Sequence, residues 1–289
     1  MRTRVMANLT DVSVIKDLCQ RYGFSLSKGF GQNFIVNGGI CPKIVQAAGI
    51  DKSYGVLEVG PGIGVLTKEL AASACKVASV EIDTRLPELL QETLADCDNV
   101  EIVQGDVLQT DLHALIAEKF QGLQVAVCAN LPYYITSPII MKLLEERLPI
   151  RHITVMVQKE AAERITALPG TRAAGAISYA VHYYAEPKLL FSVQPGSFYP
   201  PPKVTSAVIQ LVLREKPPVE ISDEKEFFRL IRAAFGQRRK TAANSIAAGL
   251  SIPKEQVISA LEQAGLSPLV RPEQLTLEDF AALQRNLKK

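Results

Sequence analysis

The first half of the chain alternates short apolar runs with stretches in which apolar residues recur at helical spacing. The runs predict five buried strands, at residues 55–59, 77–82, 100–103, 125–129 and 153–157. Helical spacing is found at residues 65–73, 86–94, 112–120 and 139–148. Such alternation with apolar strands is typical of a parallel sheet covered by helices on both faces. The pattern therefore predicts a doubly wound α/β fold.

The pattern changes in the second half. Two apolar runs, 188–193 and 207–213, predict an antiparallel hairpin at the sheet edge, and the loop between them contains four prolines. Residues 216–218, Lys-Pro-Pro, indicate a linker. The rest predicts helices at 222–234, 240–248, 253–264 and 276–286, with Gly249 and Gly265 ending helices. We therefore predict two domains, residues 1–217 and a small all-helical domain of residues 218–289.

Composition narrows the class of protein. With 47% hydrophobic and 21% charged residues, the 289-residue chain is neither disordered nor fibrous. No apolar run approaches the roughly 18 residues of a membrane-spanning helix, and the N-terminus lacks the apolar core of a secretory signal. The five cysteines show no C-x-x-C spacing and the three histidines are scattered. We expect a cytoplasmic protein with reduced cysteines, no membrane contact and no metal site.

Positive charge is concentrated near the C-terminus. Between Phe227 and Lys254 the chain has six cations and no acid. A local cationic stretch on an otherwise balanced protein indicates a partner that carries phosphates. A solvated helix face has the same composition, so this charge does not by itself identify the partner.

A glycine-rich loop, Glu58-Val-Gly-Pro-Gly-Ile-Gly64, joins the first predicted strand to the first helix. Glycines there let the backbone approach a ligand beyond the carboxyl ends of the strands. The spacing of Gly60, Gly62 and Gly64 differs from the dinucleotide fingerprint, which disfavours an oxidoreductase.

Acidic residues follow at the ends of the next two predicted strands. Glu81 can accept hydrogen bonds from both hydroxyls of a ribose, and Asp106 can accept one from an adenine amino group. Together with the glycine loop, these residues indicate a ligand that contains adenosine.

The fourth predicted strand ends in Asn130-Leu131-Pro132-Tyr133. Asn130 offers a carbonyl acceptor, and Pro132 stiffens the chain and leaves the Leu131 carbonyl without a helical partner. Tyr133 supplies a flat face. Two acceptors beside a stacking ring suit a planar amine such as N6 of adenine.

The Asn-Leu-Pro-Tyr tetrad is similar to the signature of amino-methyltransferases that use S-adenosylmethionine. The wider set of motifs resembles the KsgA-type ribosomal RNA small-subunit adenine N6,N6-dimethyltransferases. Lys28 to Phe34 resembles that family's N-terminal cofactor motif, residues 198–204 (Phe-Tyr-Pro-Pro-Pro-Lys-Val) its base-stacking loop, and residues 237–241 (Gln-Arg-Arg-Lys-Thr) its helical-domain signature. The resemblance runs from about Lys28 to the C-terminus. It implies a Rossmann-like methyltransferase domain at 1–217 and an RNA-binding helical domain at 218–289.

The resemblance also implies roles for individual residues. Asn130, Leu131, Pro132, Tyr133 and Phe198 would form the catalytic set, with Tyr133 and Phe198 sandwiching the target adenine. S-adenosyl-L-methionine would be bound by Gln32, Asn33, Ile35, Gly60, Gly62, Glu81, Ile82, Asp106, Val107 and Asn130. RNA would be bound by Lys203, Arg229, Arg232, Arg238, Arg239 and Lys240. Tyr134 departs from the family pattern, since some relatives have a smaller polar residue there.

The implied activity is methylation of N6 on two adjacent adenines of small-subunit (16S) ribosomal RNA, during ribosome biogenesis, by a monomer. Two alternatives stay open. One is an adenine methyltransferase for large-subunit RNA, of the macrolide-resistance type. The other is an additional, non-enzymatic role in ribosome assembly, in which the basic helical domain binds the subunit.

Overall fold

The computed structural model describes residues 8–23, 33–237 and 239–287. Its main feature is a seven-stranded sheet with the order β4-β3-β2-β5-β6-β9-β7. The strands are β2 (Tyr54–Val59), β3 (Lys76–Glu81), β4 (Val100–Gln104), β5 (Gln124–Asn130), β6 (His152–Gln158), β7 (Ala185–Val193) and β9 (Ser206–Leu213). Strands β2 to β6 pair in parallel, and β9 pairs antiparallel to β6. The predicted doubly wound fold with an antiparallel edge is confirmed.

Helices follow the strands as the apolar spacing predicted. They are α3 (Val65–Ser73), α4 (Leu86–Thr93), α5 (Leu112–Lys119) and α6 (Thr136–Glu145). Three more helices, which the sequence analysis did not place, are α2 (Ile40–Ala48), α7 (Lys159–Thr166) and α8 (Ala176–Tyr184). Among the described residues, no helix is long and apolar enough to cross a membrane.

The N-terminal helix α1 (Val12–Arg21) is joined to α4 by both apolar and polar contacts. Ile15 and Leu18 are buried in one cluster with the apolar face of α4. The guanidinium of Arg21 donates two hydrogen bonds to the carboxylate of Glu92, at 2.7 and 2.9 Å, and the Tyr22 hydroxyl donates a third at 2.6 Å. The end of helix α1 is therefore fixed beside the end of α4.

A separate two-stranded ladder connects two distant segments of the chain. Strand β1 (Phe34–Ile35) pairs antiparallel with β8 (Phe198–Tyr199), and the partners are Phe34 with Tyr199 and Ile35 with Phe198. Ile35 and Phe198 belong to one apolar cluster, and Phe34 with Tyr199 to another. The ladder therefore brings two of the motifs noted in the sequence into contact.

The chain divides into two compact units. The first comprises Met1–Ala162 and Lys188–Leu213, and the second Glu163–Pro187 and Arg214–Lys289. The longer part of the second unit begins at Arg214, close to the predicted linker at residues 216–218. The unit also includes Glu163–Pro187, which lies within the predicted first domain. Its helices include α9 (Glu224–Phe235), α10 (Ala242–Leu250), α11 (Lys254–Gln263) and α12 (Leu277–Leu287).

Aromatic rings fill the core of the second unit. The Tyr179 ring on α8 packs edge-to-face on Phe280, with 5.1 Å between centroids, and its hydroxyl donates to the carbonyl of Leu275 at 2.5 Å. These contacts join the segment Glu163–Pro187 to α12. They are the physical reason that this segment belongs to the second unit.

One of the two glycines predicted to end a helix lies inside a helix instead, so that prediction is wrong. Gly265 follows α11 with a φ of +74°, as predicted, but Gly249 lies inside α10. A Cβ on Gly249 would lie 2.7 Å from the Cβ of Ala233 on α9. Gly249 therefore allows two helices to approach closely, and Ser251, with a φ of +57°, ends α10 instead.

Candidate active site

A cavity opens at the carboxyl ends of β2, β3, β4 and β5. Nearly all the residues predicted to bind the cofactor line it, together with the Asn-Leu-Pro-Tyr tetrad. The predicted residues in its wall are Asn33, Ile35, Gly60, Gly62, Glu81, Ile82, Asp106, Val107, Asn130, Leu131, Pro132 and Tyr133. Segments that are far apart in sequence meet here because parallel strands end at the same edge of the sheet. Gln32 lies outside the described residues.

The glycine loop after β2 has a backbone that only glycine adopts readily. Gly60, Gly62 and Gly64 have φ values of +69°, +58° and +91°. A Cβ on Gly60 would meet no atom within 4 Å, so the space above this residue is open to a ligand. The Gly60 N–H donates to the carbonyl of Val80 at 2.9 Å, which holds the loop to the end of β3.

Glu81 is a buried carboxyl at the end of β3. Its Oε1 accepts a hydrogen bond from the N–H of Asp83 at 2.7 Å, and backbone bonds from Gly62 and Ile82 also reach the group. Burial raises the pKa of Glu81 to about 7, and these hydrogen bonds oppose the rise. An acceptor beside the glycine loop in this geometry fits a ribose.

A second buried carboxyl, Glu58, lies beneath the glycine loop. Its Oε2 accepts hydrogen bonds from the hydroxyls of Thr67, at 2.8 Å, and Ser79, at 2.5 Å. Burial raises its pKa to about 7. Glu58 thereby links β2 to α3 and β3, and this bracing role was missed in the sequence because the bonded hydroxyls belong to other elements.

Apolar and polar groups share the part of the cavity at the ends of β3 and β4. Ile82 is half exposed although it is a large apolar residue, which leaves an apolar surface toward the cavity. Val107 is buried, and Asp106 turns its Oδ1 to the N–H of Leu108 at 2.9 Å. An apolar face next to a carboxylate suits the ring and amino group of an adenine.

The Asn-Leu-Pro-Tyr tetrad forms a turn between β5 and α6. The Leu131 N–H donates to the carbonyl of Met156 at 3.1 Å, which fixes the turn to β6. The Pro132 carbonyl accepts the hydrogen bonds that close the turn. The Ile135 N–H and the Thr136 hydroxyl both donate to it at 3.2 Å. The turn therefore does not use the Leu131 carbonyl, as the proline had predicted.

Tyr133 is half-buried in the cavity wall. Its hydroxyl lies 2.6 Å from the hydroxyl of Ser206, the first residue of β9. Burial raises the pKa of Tyr133, while the bond to Ser206 opposes this rise. The Tyr133 hydroxyl is therefore protonated at physiological pH. The side chain is restrained by its backbone at one end and by the bond to Ser206 at the other.

Phe198 does not stand in the cavity wall. It is 3% exposed and belongs to the apolar cluster behind Ile35, its partner in the β1–β8 ladder. Phe198 is thus placed directly behind a lining residue, and its stacking on the target adenine stays a prediction. Its neighbour in the chain, Tyr199, is partly buried, and Lys16 Nζ lies 5.7 Å from the centre of that ring.

Tyr134 is an aromatic residue that is exposed at the cavity. It lines the cavity and is 61% exposed. The sequence marked this position only as a departure from the family pattern. Because Tyr134 is exposed, its aromatic ring is accessible to solvent beside Tyr133.

The predicted RNA-binding residues are exposed but do not all lie in one unit. Arg229 and Arg232 are on α9, and Arg229 forms an ion pair of 3.4 Å with Glu226. Arg239 and Lys240 are exposed in the turn between α9 and α10, and the Lys240 N–H donates to the Gln237 carbonyl at 3.1 Å. Lys203 is exposed in the first unit, between β8 and β9. Arg238 lies outside the described residues.

Comparison with known proteins identifies the family. The model of the ribosomal RNA adenine dimethylase family matches residues 23–289, which is most of the chain. The chain belongs to this family. The resemblance predicted from the motifs is thereby confirmed, and it extends through the helical C-terminal region.

Curated relatives and solved structures agree with this assignment. The chain is 49% identical over 276 residues to the ribosomal RNA small subunit methyltransferase A of Geobacillus thermodenitrificans, covering 94% of each chain. It is 45% identical over 285 residues to the protein of the same name from Alkaliphilus oremlandii, covering 98% of this chain and 99% of the relative.

Two crystal structures also resemble the chain. A dimethyladenosine transferase from Plasmodium falciparum has a TM-score of 0.70 and 28% identity, over 86% of this chain and 95% of the other. The 23S rRNA methyltransferase ErmE has a TM-score of 0.64 and 27% identity, over 89% and 100%. A dimethyladenosine transferase and a 23S rRNA methyltransferase therefore both share the fold of this chain.

Proposed function

We propose that this protein transfers methyl groups from S-adenosylmethionine to N6 of two adjacent adenines in small-subunit (16S) ribosomal RNA. The observation that carries the proposal is that Asn130 and Tyr133 line the same cavity as Gly60 and Glu81. One cavity thus combines groups suited to an adenosine-containing cofactor with groups suited to an adenine amine. Small-subunit relatives at 44–49% identity support the small over the large subunit, because the 23S enzyme is 27% identical.

The residues around the cavity fit S-adenosylmethionine. Gly60 leaves open space for a ligand beside the loop, Glu81 would accept the ribose hydroxyls, and Asp106 the adenine amino group. Ile82 and Val107 would cover the faces of the adenine, while Asn33 and Ile35 would contact the methionine end. When bound, the cofactor supplies a methyl group already activated by a sulfonium.

The chain's own contribution is to position the amine. The N6 lone pair is delocalised into the adenine ring, so the amine is a weak nucleophile. The side chain of Asn130 and the carbonyl of Leu131 would accept the two N–H groups and turn the lone pair toward the methyl. This arrangement lowers the barrier through orientation and through acceptors that stabilise the developing positive charge on nitrogen.

Proton removal needs no strong base. Once methylated, the nitrogen is acidic and releases its proton to Asn130, to the Leu131 carbonyl or to water. Dimethylation then requires that the monomethylated amine rotate and meet a second cofactor molecule. The cavity beside Asn130 must therefore accommodate one methyl group.

Base access and RNA binding are assigned to other residues. The target base leaves its stack, and the Tyr133 ring would cover one face of it. Exposed cations at Lys203, Arg229, Arg232, Arg239 and Lys240, with Arg238, would contact phosphates. We assign residues 1–217 to methyl transfer and 218–289 to RNA binding, and we propose that the protein acts as a monomer in the cytoplasm without a metal ion.

The test uses labelled S-adenosylmethionine with unmethylated small subunits and, in parallel, with large-subunit RNA, followed by nucleoside analysis of each RNA. The proposal predicts N6,N6-dimethyladenosine at two adjacent positions of the small-subunit RNA. Label in the large-subunit RNA alone would identify the macrolide-resistance type of activity. A protein with Asn130→Ala that still binds the subunit and supports assembly would add a non-enzymatic role.

A further inference from the structure

Ser206 is the one partner that the structure gives to the Tyr133 hydroxyl among the described residues. The two oxygens lie 2.6 Å apart. Tyr133 follows β5 and Ser206 begins β9, and strand β6 lies between β5 and β9 in the sheet. The tyrosine side chain therefore reaches across the end of β6, and its hydroxyl is held by Ser206 on a strand that lies outside the cavity wall.

The position of Ser206 is fixed independently of Tyr133. Ser206 is paired with Gln158 in the β6–β9 ladder, and the Lys159 N–H donates to the carbonyl of the preceding Thr205 at 2.9 Å. The side chain is fully buried. Ser206 Oγ is thus a rigid anchor, and it would lose its hydrogen bond in a dry environment if Tyr133 moved away.

Tyr133 is in turn restrained at its backbone. The N–H of Leu131 is bonded to β6, and the turn is closed on the carbonyl of Pro132. With its main chain fixed by the turn and its hydroxyl by Ser206, the ring cannot change its side-chain rotamer without breaking the 2.6 Å bond.

We infer that Ser206 is a positioning residue for methyl transfer, which fixes the Tyr133 ring at the angle that the target adenine needs. The inference rests on the proposed function, in which Tyr133 stacks on that base. It also gives a role to the Pro-Pro-Pro-Lys-Val-Thr-Ser segment: the segment reaches the site through its final serine, while Phe198 at its start is buried in the core.

Two variants and their combination test the inference. Tyr133→Phe keeps the ring face and removes the hydroxyl, and Ser206→Ala removes the anchor. Each should lower the single-turnover rate of methyl transfer about 3–10-fold at saturating cofactor and subunit, as expected for one neutral hydrogen bond that orients the reacting groups. Affinity for S-adenosylhomocysteine should stay within about twofold, because neither atom serves the cofactor. The double variant should be no slower than the slower single variant, since the same bond is lost once.

Thr154→Val is the matched control. Thr154 is fully buried on β6, as Ser206 is on β9, and neither lines the cavity, but the Thr154 hydroxyl accepts a bond from Gln210 at 3.4 Å and makes none to Tyr133 among the described residues. The control should keep the wild-type rate. Wild-type rates in both single variants, or losses that multiply in the double variant, would overturn the inference. Ser206→Cys, which keeps a weak donor of similar size, should restore part of the rate lost in Ser206→Ala.

A measurement without RNA separates this inference from the proposed function. In protein labelled with 3-fluorotyrosine, the resonance of Tyr133 is assigned by its loss in Tyr133→Phe. It should shift in Ser206→Ala and stay in place in Thr154→Val. If wild-type protein methylates no small-subunit RNA but the resonance shifts, the proposed function fails and the Tyr133–Ser206 bond stands. An unshifted resonance overturns the bond itself.

Discussion

The backbone N–H of Asp83 donates a 2.7 Å hydrogen bond to Oε1 of Glu81. This bond turns the carboxylate back over the end of β3, toward the glycine loop. Asp83 is itself buried, and its carboxylate forms an ion pair of 2.6 Å with Arg85. This ion pair stabilises the segment that follows Glu81. The pKa of Glu81 is nevertheless raised to about 7, because burial outweighs these bonds.

We therefore expect cofactor affinity to depend on pH through Glu81. The ionised form is the better acceptor for two ribose hydroxyls, so affinity should fall as the pH drops below about 7. Calorimetric titration with S-adenosylhomocysteine at pH 6, 7 and 8 measures this. Glu81→Gln should bind roughly tenfold more weakly at pH 8 and lose most of the pH dependence. An equally steep dependence in the variant would assign it to another group.

Asn130→Ala should separate binding from catalysis. The lost carbonyl matters most at the reacting nitrogen, so cofactor affinity should change less than about threefold while the single-turnover rate falls about 100-fold or more. Calorimetry and rapid-quench measurements on the same preparation test the two halves. A variant with normal turnover at saturating cofactor and weakened cofactor binding would move Asn130 out of the catalytic set.

The turn between α9 and α10 should govern the salt dependence of RNA binding. Changing the exposed Arg239 and Lys240 both to Glu should reduce the slope of log affinity against log salt by about 1.4–1.8, if each contacts one phosphate. Filter binding to small subunits at several salt concentrations measures the slope. Arg285→Glu, an exposed charge on α12, is the control and should leave the slope nearly unchanged. The same slope in folded variant and wild type would remove this turn from the RNA contact.

Gly249 should be required for the packing of α10 on α9. Gly249→Ala places a methyl 2.7 Å from the Cβ and 2.9 Å from the Cα of Ala233, and this overlap should destabilise the second unit by about 1–3 kcal/mol. Urea denaturation followed by circular dichroism gives the free energy of unfolding. Adding Ala233→Gly to the variant should recover part of the loss, because it removes the opposing methyl. No loss in Gly249→Ala would show that the helices can separate at little cost.

His152 should make stability depend on pH. It is buried at the start of β6, and neither ring nitrogen has a hydrogen-bond partner in the part of the chain that the structure describes. Burial lowers its pKa, so below pH 6.5 the unfolded chain binds a proton more readily than the folded chain. The contribution of the neutral ring is therefore full above about pH 6.5 and is lost as the pH falls.

The test compares unfolding of His152→Phe and wild type between pH 5 and 8. The free energy of unfolding of the variant should rise relative to that of wild type as the pH falls from 8 to 5. Glu58 and Glu81, whose raised pKa values act in the opposite direction, are present in both proteins and cancel in the difference. A flat difference for His152→Phe would contradict the assignment.

The sequence predicted elements well where a single local pattern determined them. The parallel strands are short, mostly apolar runs, and the glycine loop has positive φ angles that favour glycine, so both were predictable. Helices α2 and α8 were missed for physical reasons. Proline at the third position of α2 resembles a break although it is tolerated in a first turn, and α8 is rich in tyrosine and branched residues, which favour strands.

The site was predictable only up to the ends of the strands. Gly60, Glu81, Asp106 and Asn130 share one edge because parallel strands put them there. Ser206 and Glu58 act through partners on other elements, so their roles depend on register and packing that a linear pattern does not contain. The burial of Phe198 beside Ile35 likewise depends on tertiary packing, which its motif does not contain.

The ladder between β1 and β8 has a consequence for how these sequences can vary. Ile35 and Phe198 face one apolar cluster, while Phe34 and Tyr199 face another, so each pair must share a fixed volume. A larger side chain at position 35 would have to be compensated by a smaller one at 198, although 162 positions separate the two in the chain. We therefore expect the two segments to tolerate change only together, and grafting either of them from a relative without its partner would leave a hole or an overlap beside the cavity.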